Sequence, residues 1–313
     1  MTTIPKPSIT AIVLTRDEGL HLRRCIESLQ PVVARVCVVD SGSTDDTLGI
    51  ARSMGADVFS NDWINHAAQF NWALDHCDIR TDWVLRLDAD EYLESALQAE
   101  MRDRLPDLDR ETHGVLLKRK YFFMRRWVRH GGMYPIYSLR LWRNGSARIE
   151  NRWMDEHALL TRGRTTRFHA AFVDDNLRDL AWWSRKHVHY ATLEAVQVIL
   201  ERMGIATDGR QAESALPGRA STKRWMKERV YNRLPLGLGP FLYLQYRLFL
   251  RLGILDGASG VAFHVLQGFW YRLLADLRRH ELDRSLSGIH GTAARVMALE
   301  KLTGLKIRAF PDR

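Results

Sequence analysis

The 313-residue chain is poor in cysteine, with only Cys25, Cys37 and Cys77. None belongs to a Cys-x-x-Cys pair, so neither a disulfide framework nor a thiolate zinc site is expected, and a reducing compartment fits best. No Gly-x-Gly-x-x-Gly follows the first apolar run, and no Gly-x-x-x-x-Gly-Lys-Ser/Thr occurs anywhere. A dinucleotide site and a P-loop are therefore disfavoured. No apolar run reaches the ~20 residues that a bilayer-spanning helix needs. Met1 to Ser8 has no apolar core, so no export signal is expected.

Net charge is also missing from most of the chain. Residues 1–210 contain 29 Lys and Arg against 29 Asp and Glu, whereas residues 211–313 contain 17 against 8. The whole excess of +9 thus lies on the last third. A localised basic excess implies an anionic partner, either nucleic acid or a membrane surface. At 46% apolar and 27% charged, the chain can build a sizeable core. Its length suits one large α/β domain with an appendage, or two domains.

What is present begins with four short apolar runs separated by helical patterns. Ile9–Leu14, Val36–Val39, Ala56–Phe59 and Asp82–Leu87 read as strands. Leu22, Cys25, Ile26 and Leu29 recur at helical spacing, and His66–Cys77 is helical in composition. The loop Ser41–Thr47 leads into a further helix, with Ser43 or Thr44 as N-cap. Strand and helix alternating at this interval predict an α/β fold, a mostly parallel sheet with helices on both faces.

Two of these strands end in carboxylates, Asp40 after the second and Asp88-Ala89-Asp90-Glu91 after the fourth. In open α/β sheets ligands bind at that strand edge. An Asp-x-Asp pair offers hard oxygen ligands to a divalent cation, which can in turn bind a diphosphate. The competing account is an acidic turn capping the next helix. Asp40 is suited to hydrogen-bond a ribose or base, or it is a simple turn residue.

After Leu105-Pro106 the pattern changes. Gly114–Leu117, Tyr121–Met124 and Leu139–Trp142 read as strands, the first two interrupted by Lys118-Arg119-Lys120. Asp155-Glu156-His157 then sets three ionisable groups beside Trp153. Such a cluster supplies a general base or metal ligands, or forms an exposed polar turn. Asn176–Met203 is mostly helical, and its Trp and Leu positions suit core packing. His169, His187 and His189 are ambiguous between structural and ligating roles.

Residues 204–223 have the composition of a linker. Trp225–Leu277 interleaves aromatic, Leu and Arg residues on two helices parted near Gly253 and Asp256-Gly257. Basic and aromatic residues on apolar helices suit a membrane interface, and a helical subdomain packed on the core is the alternative. Nucleic acid is the weaker partner, because a phosphate-binding arm needs far less apolar content.

Three segments, Ile12–Glu18, Val38–Asp45 and Leu87–Glu91, occur in an order and spacing that resemble family 2 glycosyltransferases of the GT-A fold. The match covers about the first hundred residues. Tyr134-Pro135, Leu139–Trp142 and Gly253–Gly257 look more loosely like the lipopolysaccharide-core and exopolysaccharide glucosyltransferase subgroup. The resemblance implies a nucleotide-sugar donor, a UDP-hexose, and a glycan or lipid-linked glycan acceptor. Thr15, Glu18 and Asp40 would line the nucleotide pocket, with Asp45 holding the loop and Gln69 and Asn71 bordering the donor. Asp88 and Asp90 would hold Mg2+ or Mn2+ on the diphosphate, with His157 or His169 completing the shell. Inverting displacement needs a base, Asp155 first and Glu156 second. Here the local order Asp155-Glu156-His157 departs from the family's Glu-Asp pair. Arg140 and Lys186 would contact phosphate or acceptor.

The implied organisation is a GT-A domain over residues 1–203, with a nucleotide half at 1–105 and an acceptor half at 106–203. A linker at 204–223 and a basic helical region at 224–313 follow. Residues 224–280 would meet the membrane, placing the protein peripherally on the cytoplasmic face. Two other readings remain. A sugar nucleotidyltransferase would carry a Gly-rich basic loop after the first strand, which Thr15–Gly19 does not match. A non-catalytic membrane-bound scaffold would not need Asp40, Asp88 and Asp90 intact.

Overall fold

The structure is a computed structural model that describes residues 7–154, 156–205 and 235–307. The chain forms two compact units. The first comprises Met1–Ile149 and His157–Leu177, the second Glu150–Glu156 and Arg178–Arg313.

The first unit opens with β1 (Ile9–Thr15), α1 (Leu22–Leu29), β2 (Arg35–Asp40), α2 (Thr47–Ser53), β3 (Asp57–Ser60), α3 (His66–His76) and β4 (Trp83–Arg86). It continues with β5 (Glu91–Leu93), α4 (Ser95–Arg104), β6 (Thr112–Phe123), β7 (Arg126–Val128), β8 (Ile136–Arg143), β9 (Ala147–Ile149), β10 (Ala158–Leu160) and β11 (Arg164–Asp175). The main sheet runs β3-β2-β1-β4-β8-β6-β11-β5, with β7 paired to β6, while β9 and β10 form a separate ribbon. β1 to β4 are mutually parallel, and β8 enters antiparallel between β4 and β6.

The apolar runs are continuous because both faces of the sheet are covered. Ile9, Ala11 and Val13 of β1 pack with Leu22, Cys25, Ile26 and Leu29 of α1. Ile12 on the opposite face packs with Phe70 and Ala73 of α3 and with Trp142 of β8. Full burial of such a side chain contributes about 1.5–3 kcal/mol, and β1 is held as an interior strand between β2 and β4. All three cysteines are buried free thiols.

Two local expectations are corrected. Gly114–Leu117 and Tyr121–Met124 are not separate strands, since β6 runs unbroken through Lys118-Arg119-Lys120. Its charges are matched from neighbouring chain, Arg119 to Asp174 at 3.3 Å and Lys120 to Glu94 at 2.7 Å. Neither Ser43 nor Thr44 caps α2. That helix starts at Thr47, whose backbone N–H donates to the Asp45 carboxylate.

The second unit holds α5 (Leu180–Arg202), α6 (Leu238–Gln245), α7 (Gly257–Val265), α8 (Tyr271–Ser285) and α9 (Thr292–Thr303). Asp179 caps α5 by accepting from the Trp182 N–H at 2.7 Å. α5 packs on α8 around Ala191, Tyr271 and Ala275, and the Tyr271 hydroxyl donates to Glu194 at 2.8 Å. α5 therefore groups with the C-terminal helices rather than with the sheet, unlike the boundary at residue 203 drawn from sequence. The expected linker lies mostly outside the described residues.

His187 is buried against Trp183, with ring centroids 3.5 Å apart. Burial pushes its pKa below the ordinary 6.5, opposed by a hydrogen bond from Nδ1 to the Trp183 carbonyl. Burial lowers His189 as well. The unfolded chain then binds more protons than the folded one just below that value, so folded stability falls as the pH is lowered. Chemical denaturation is expected to show the second unit weakening from neutral pH to about pH 5. His187→Phe should flatten that slope. An unchanged slope would remove His187 as a source.

Candidate functional site

The C-terminal ends of β2, β1 and β4 form one edge. Thr15 pairs with Asp40 across the β1–β2 ladder, and Ile12 pairs with Arg86 across β1–β4. Thr15, Asp40 and the turn that follows Arg86 therefore leave the sheet at the same edge. Adjacent strands are about 4.8 Å apart, so the ends of β2 and β4 are separated by roughly 10 Å.

Asp40 is buried, and its carboxylate is engaged by its own loop. Oδ1 accepts from the Thr15 hydroxyl at 2.8 Å and from the Ser43 hydroxyl, while Oδ2 accepts from the Gly42 and Ser43 amides at 2.9 and 2.8 Å. A carboxylate offers about four acceptor sites, so Asp40 organises residues 41–43 into a tight loop. Gly42 takes φ +90°, a conformation that favours glycine.

The loop after β1 is tied to the one after β2. Asp17 accepts from the Thr44 N–H at 2.7 Å, and this bond holds its carboxyl below the usual range. Asp45 accepts from the Gly19 amide at 3.0 Å and also from the Thr47 N–H and hydroxyl. Glu18 turns to His21, with Oε2 2.6 Å from Nδ1, and His21 Nε2 accepts from the Leu177 N–H at 2.9 Å. That acceptor role places the ring proton on Nδ1, where it donates to Glu18.

At the end of β4 the three carboxylates divide their tasks. Asp88 is partly exposed, and its oxygens lie 3.8 Å from Arg86 and 3.7 Å from Arg140. Asp90 accepts from the Asn176 side-chain amide at 2.9 Å. Its carbonyl accepts from Arg24 at 3.2 Å and from the Asp175 N–H at 3.2 Å. Glu91 caps no helix. It is buried, grips both terminal nitrogens of Arg140 at 2.9 and 3.0 Å, and accepts from the Asp88 N–H at 2.9 Å. This pair sets the turn on which Asp88 and Asp90 project.

Among the described residues no three His, Cys, Asp or Glu side chains come together as a ready metal cluster. The donor set still fits Mg2+ or Mn2+. Such ions are commonly held by one or two carboxylates, with substrate phosphates and water completing the shell.

Several expected contributors stand elsewhere. His169 is exposed on β11, with its N–H held by Glu100 of α4 at 2.8 Å. It precedes Asp175, the β11 residue bonded to Asp90, across an irregularity between Arg167 and Ala171, and the regular stretch from Ala171 to Asp175 alone spans about 13 Å at roughly 3.3 Å per residue. That distance removes it from the Asp88–Asp90 metal shell. Arg140 is committed to Glu91 and does not lie open for a phosphate. Asn71 brackets Ile149, donating to its carbonyl at 2.8 Å and accepting from its N–H at 3.0 Å, so it anchors β9. Gln69 is buried and bonds Asn61, whose N–H donates to the Asp40 carbonyl. It therefore supports the Asp40 corner from behind.

Asp155 lies outside the described residues. Glu156 belongs to the second unit, in a segment held to α5 by the Trp153 N–H donating to Gln197 at 3.0 Å. His157 leads into β10 of the first unit. Lys186 sits over the rings of Trp182 and Tyr190 at 4.8 and 5.5 Å. Arg24, His21, Asp175 and Asn176 were not anticipated. Their contacts join positions up to 156 residues apart, and no local pattern in the sequence marks them.

The acidic pair and the carboxylate-anchored loop thus lie together at the strand edge where open α/β sheets bind ligands. The profile described as Glycosyl transferase family 2 matches residues 10–170, just over half of the chain. The chain belongs to glycosyl transferase family 2. An uncharacterized glycosyltransferase of Rickettsia felis is 41% identical over 93 residues, 30% of this chain and 32% of that protein. The chain thus spans about a third of the length of that relative. The lipopolysaccharide core biosynthesis glycosyltransferase LpsC of Rhizobium meliloti is 32% identical over 155 residues, 47% of this chain and 55% of that protein. Glucosyl-3-phosphoglycerate synthase from Mycobacterium tuberculosis, solved with Mn2+, UDP and glucosyl-3-phosphoglycerate, is 22% identical. It covers 37% of this chain and 44% of its own, with a TM-score of 0.31, a likeness too small to carry an argument.

Proposed function

We propose that the chain transfers a hexose from a nucleotide sugar, a UDP-hexose, to a lipid-linked saccharide or lipopolysaccharide-core acceptor, with inversion and with a divalent cation. The observation that carries this reading is the Asp88–Asp90 pair, in the turn that leaves β4 at the same sheet edge as the Thr15–Asp40 corner. The span of roughly 10 Å between the ends of β2 and β4 suits a nucleoside at one end and its diphosphate at the other. The Ser43 hydroxyl on Asp40 is the contact that a base N–H or ribose hydroxyl would replace. Asp88 and Asp90 would hold Mg2+ or Mn2+, which neutralises charge on the departing nucleoside diphosphate.

Inverting transfer forms a bond from the acceptor oxygen to the anomeric carbon while the bond from that carbon to the diphosphate breaks. The acceptor proton passes to a carboxylate, Asp155 in this reading and Glu156 otherwise. A lipid-bearing acceptor accounts for the basic, aromatic C-terminal region, which would rest on the cytoplasmic face of a membrane. The similarity to LpsC supports the acceptor class.

The test incubates the full chain with UDP- and GDP-sugars and Mn2+ and follows nucleotide release with and without lipid-linked acceptors. Release from a UDP-hexose that stops on chelation is expected. Asp155→Asn should stop transfer while leaving donor binding intact. No release from any nucleotide sugar under any of these conditions would overturn the reading.

A further inference from the structure

Residues 238–270 have a polarity opposite to that of a helical domain built for water. Arg247, Asp256 and His264 are 2%, 4% and 0% exposed. Phe241, Leu242, Phe249, Leu250, Ile254 and Leu255 are 48–77% exposed, Leu250 the most. Scattered exposed apolar residues are ordinary, but these six large ones within residues 241–255, beside buried charge, are informative.

The interior of this element is a built polar core. His264 Nε2 lies 3.2 Å from the Asp256 carboxylate, and the Arg247 guanidinium sits over the rings of Tyr243 and Phe263 at 5.7 and 5.4 Å. Glycines let the arms approach it. A Cβ on Gly253 would stand 2.7 Å from the Arg247 carbonyl and from the His264 ring, and one on Gly268 would stand 3.2 Å from Arg247 Cδ. In water this arrangement is penalised twice, by exposed apolar area and by desolvated charge. In hydrocarbon the first penalty vanishes. The second is characteristic of membrane segments, where ionisable groups face the protein interior and small residues line helix contacts.

No single helix among the described residues is long and apolar enough to cross a membrane. Leu238–Leu250 and Gly253–Ser285 satisfy length and composition only as a pair, bent by 73°. The first arm is about 20 Å long at 1.5 Å per residue, somewhat more than the ~15 Å hydrocarbon depth of one leaflet. Charge selects lipid over a second copy of the chain. Residues 223–233, immediately before the first arm, hold five Lys or Arg and one Glu. Anionic headgroups complement that run, whereas a second copy would bring the same charge against it. Arg251, exposed between the arms, has a stem long enough to reach toward headgroups.

We infer that residues 238–265 insert into one leaflet of an anionic bilayer as a re-entrant bent helix pair, with Arg247, Asp256 and His264 as its polar interior. This deepens the membrane part of the proposed function, replacing a surface contact by insertion into the acyl chains.

The experiment uses the full chain and vesicles of phosphatidylethanolamine with phosphatidylglycerol. Because the native thiols are buried, Leu250→Cys can be labelled selectively with an environment-sensitive fluorophore. Emission should rise on adding vesicles and be quenched by spin labels attached to lipid acyl chains. The same label at Glu27→Cys on α1 should show neither change. Separately, wild-type protein should stay with cell membranes through salt and alkaline carbonate washes. The Leu250→Asp/Leu255→Asp variant should be lost to the soluble fraction with an unchanged melting temperature. Release of wild type by salt, or headgroup-only quenching at position 250, would overturn insertion while leaving the surface reading standing. A soluble dimer that ignores vesicles would overturn both, and the nucleotide-release assay is independent of either.

Discussion

Arg140→Met is expected to destabilise the first unit by about 3–5 kcal/mol at neutral pH, the usual effect of breaking a buried ion pair from one side. Arg140 is 8% exposed and Glu91 is 1% exposed, and Arg140 also stacks over Phe172 at 4.9 Å. Burial pushes the Glu91 carboxyl above its ordinary 4.5, with Arg140 pulling it back and Asp88 adding to the rise. Without Arg140 the carboxyl is left to burial and Asp88. A group whose folded pKa lies above its unfolded value favours folding at low pH and loses that contribution as pH rises through the folded value. The penalty of Arg140→Met should therefore shrink as pH is lowered toward about 4.5. Adding Glu91→Gln, which keeps an acceptor for the Asp88 N–H, should recover more than half of the loss. Denaturant titrations at several pH values measure this. A single variant costing less than about 1 kcal/mol would show that Glu91 and Arg140 behave as a solvated pair.

Asp90→Asn should lower nucleotide release by about a thousandfold, the ~4 kcal/mol that a bound Lewis-acid cation supplies to a departing diphosphate. The asparagine keeps an oxygen for the Asn176 amide, which donates to Asp90 at 2.9 Å. The melting temperature should therefore hold while the response to Mn2+ is lost. Asp88→Asn should act in the same direction. Arg86 and Arg140 stand 3.8 and 3.7 Å from its oxygens, and the asparagine keeps an oxygen toward them. Activity within a few-fold of wild type, with the metal response intact, would remove Asp88 and Asp90 from the metal site.

The two predictions concern neighbouring carboxylates with opposite characters. Glu91 is one residue from Asp90, yet it is enclosed and structural while Asp88 and Asp90 remain at the edge. Asp90 lies in the turn after β4 whereas Glu91 opens β5, so the two side chains sit in different backbone settings. Sequence inspection registers three acidic residues in four positions. It does not show that a guanidinium 49 positions after Glu91 grips that residue with two hydrogen bonds and stands 3.7 Å from Asp88.

Other residues follow the same division. The Leu22, Cys25, Ile26 and Leu29 stripe was legible because a helix repeats every 3.6 residues, and all four are buried. β1, β2 and β4 were legible because a strand covered on both faces must be apolar throughout. β6 was misread, since Lys118-Arg119-Lys120 looks like a break until Asp174 and Glu94 supply its partners. Asn71 and Gln69 were placed near the donor, but their amides are taken by Ile149 and Asn61. A polar side chain at the right distance in sequence carries no record of which group it satisfies.

The sequence by itself determined the parallel core of the sheet, the edge at which Asp40, Asp88 and Asp90 emerge, and membership of glycosyl transferase family 2. These rest on period, strand termination and local motif, all of which act over a few residues. Tertiary structure alone decided that Asp40 is closed over by its own loop and that Arg140 belongs to Glu91 rather than to a ligand. It also put His169 beyond the regular stretch of strand, about 13 Å long, that runs from Ala171 to Asp175. It showed residues 238–270 to turn charge inward and leucine outward. Each of these depends on which distant groups meet when the chain closes, and burial fixes that only once every element is in place.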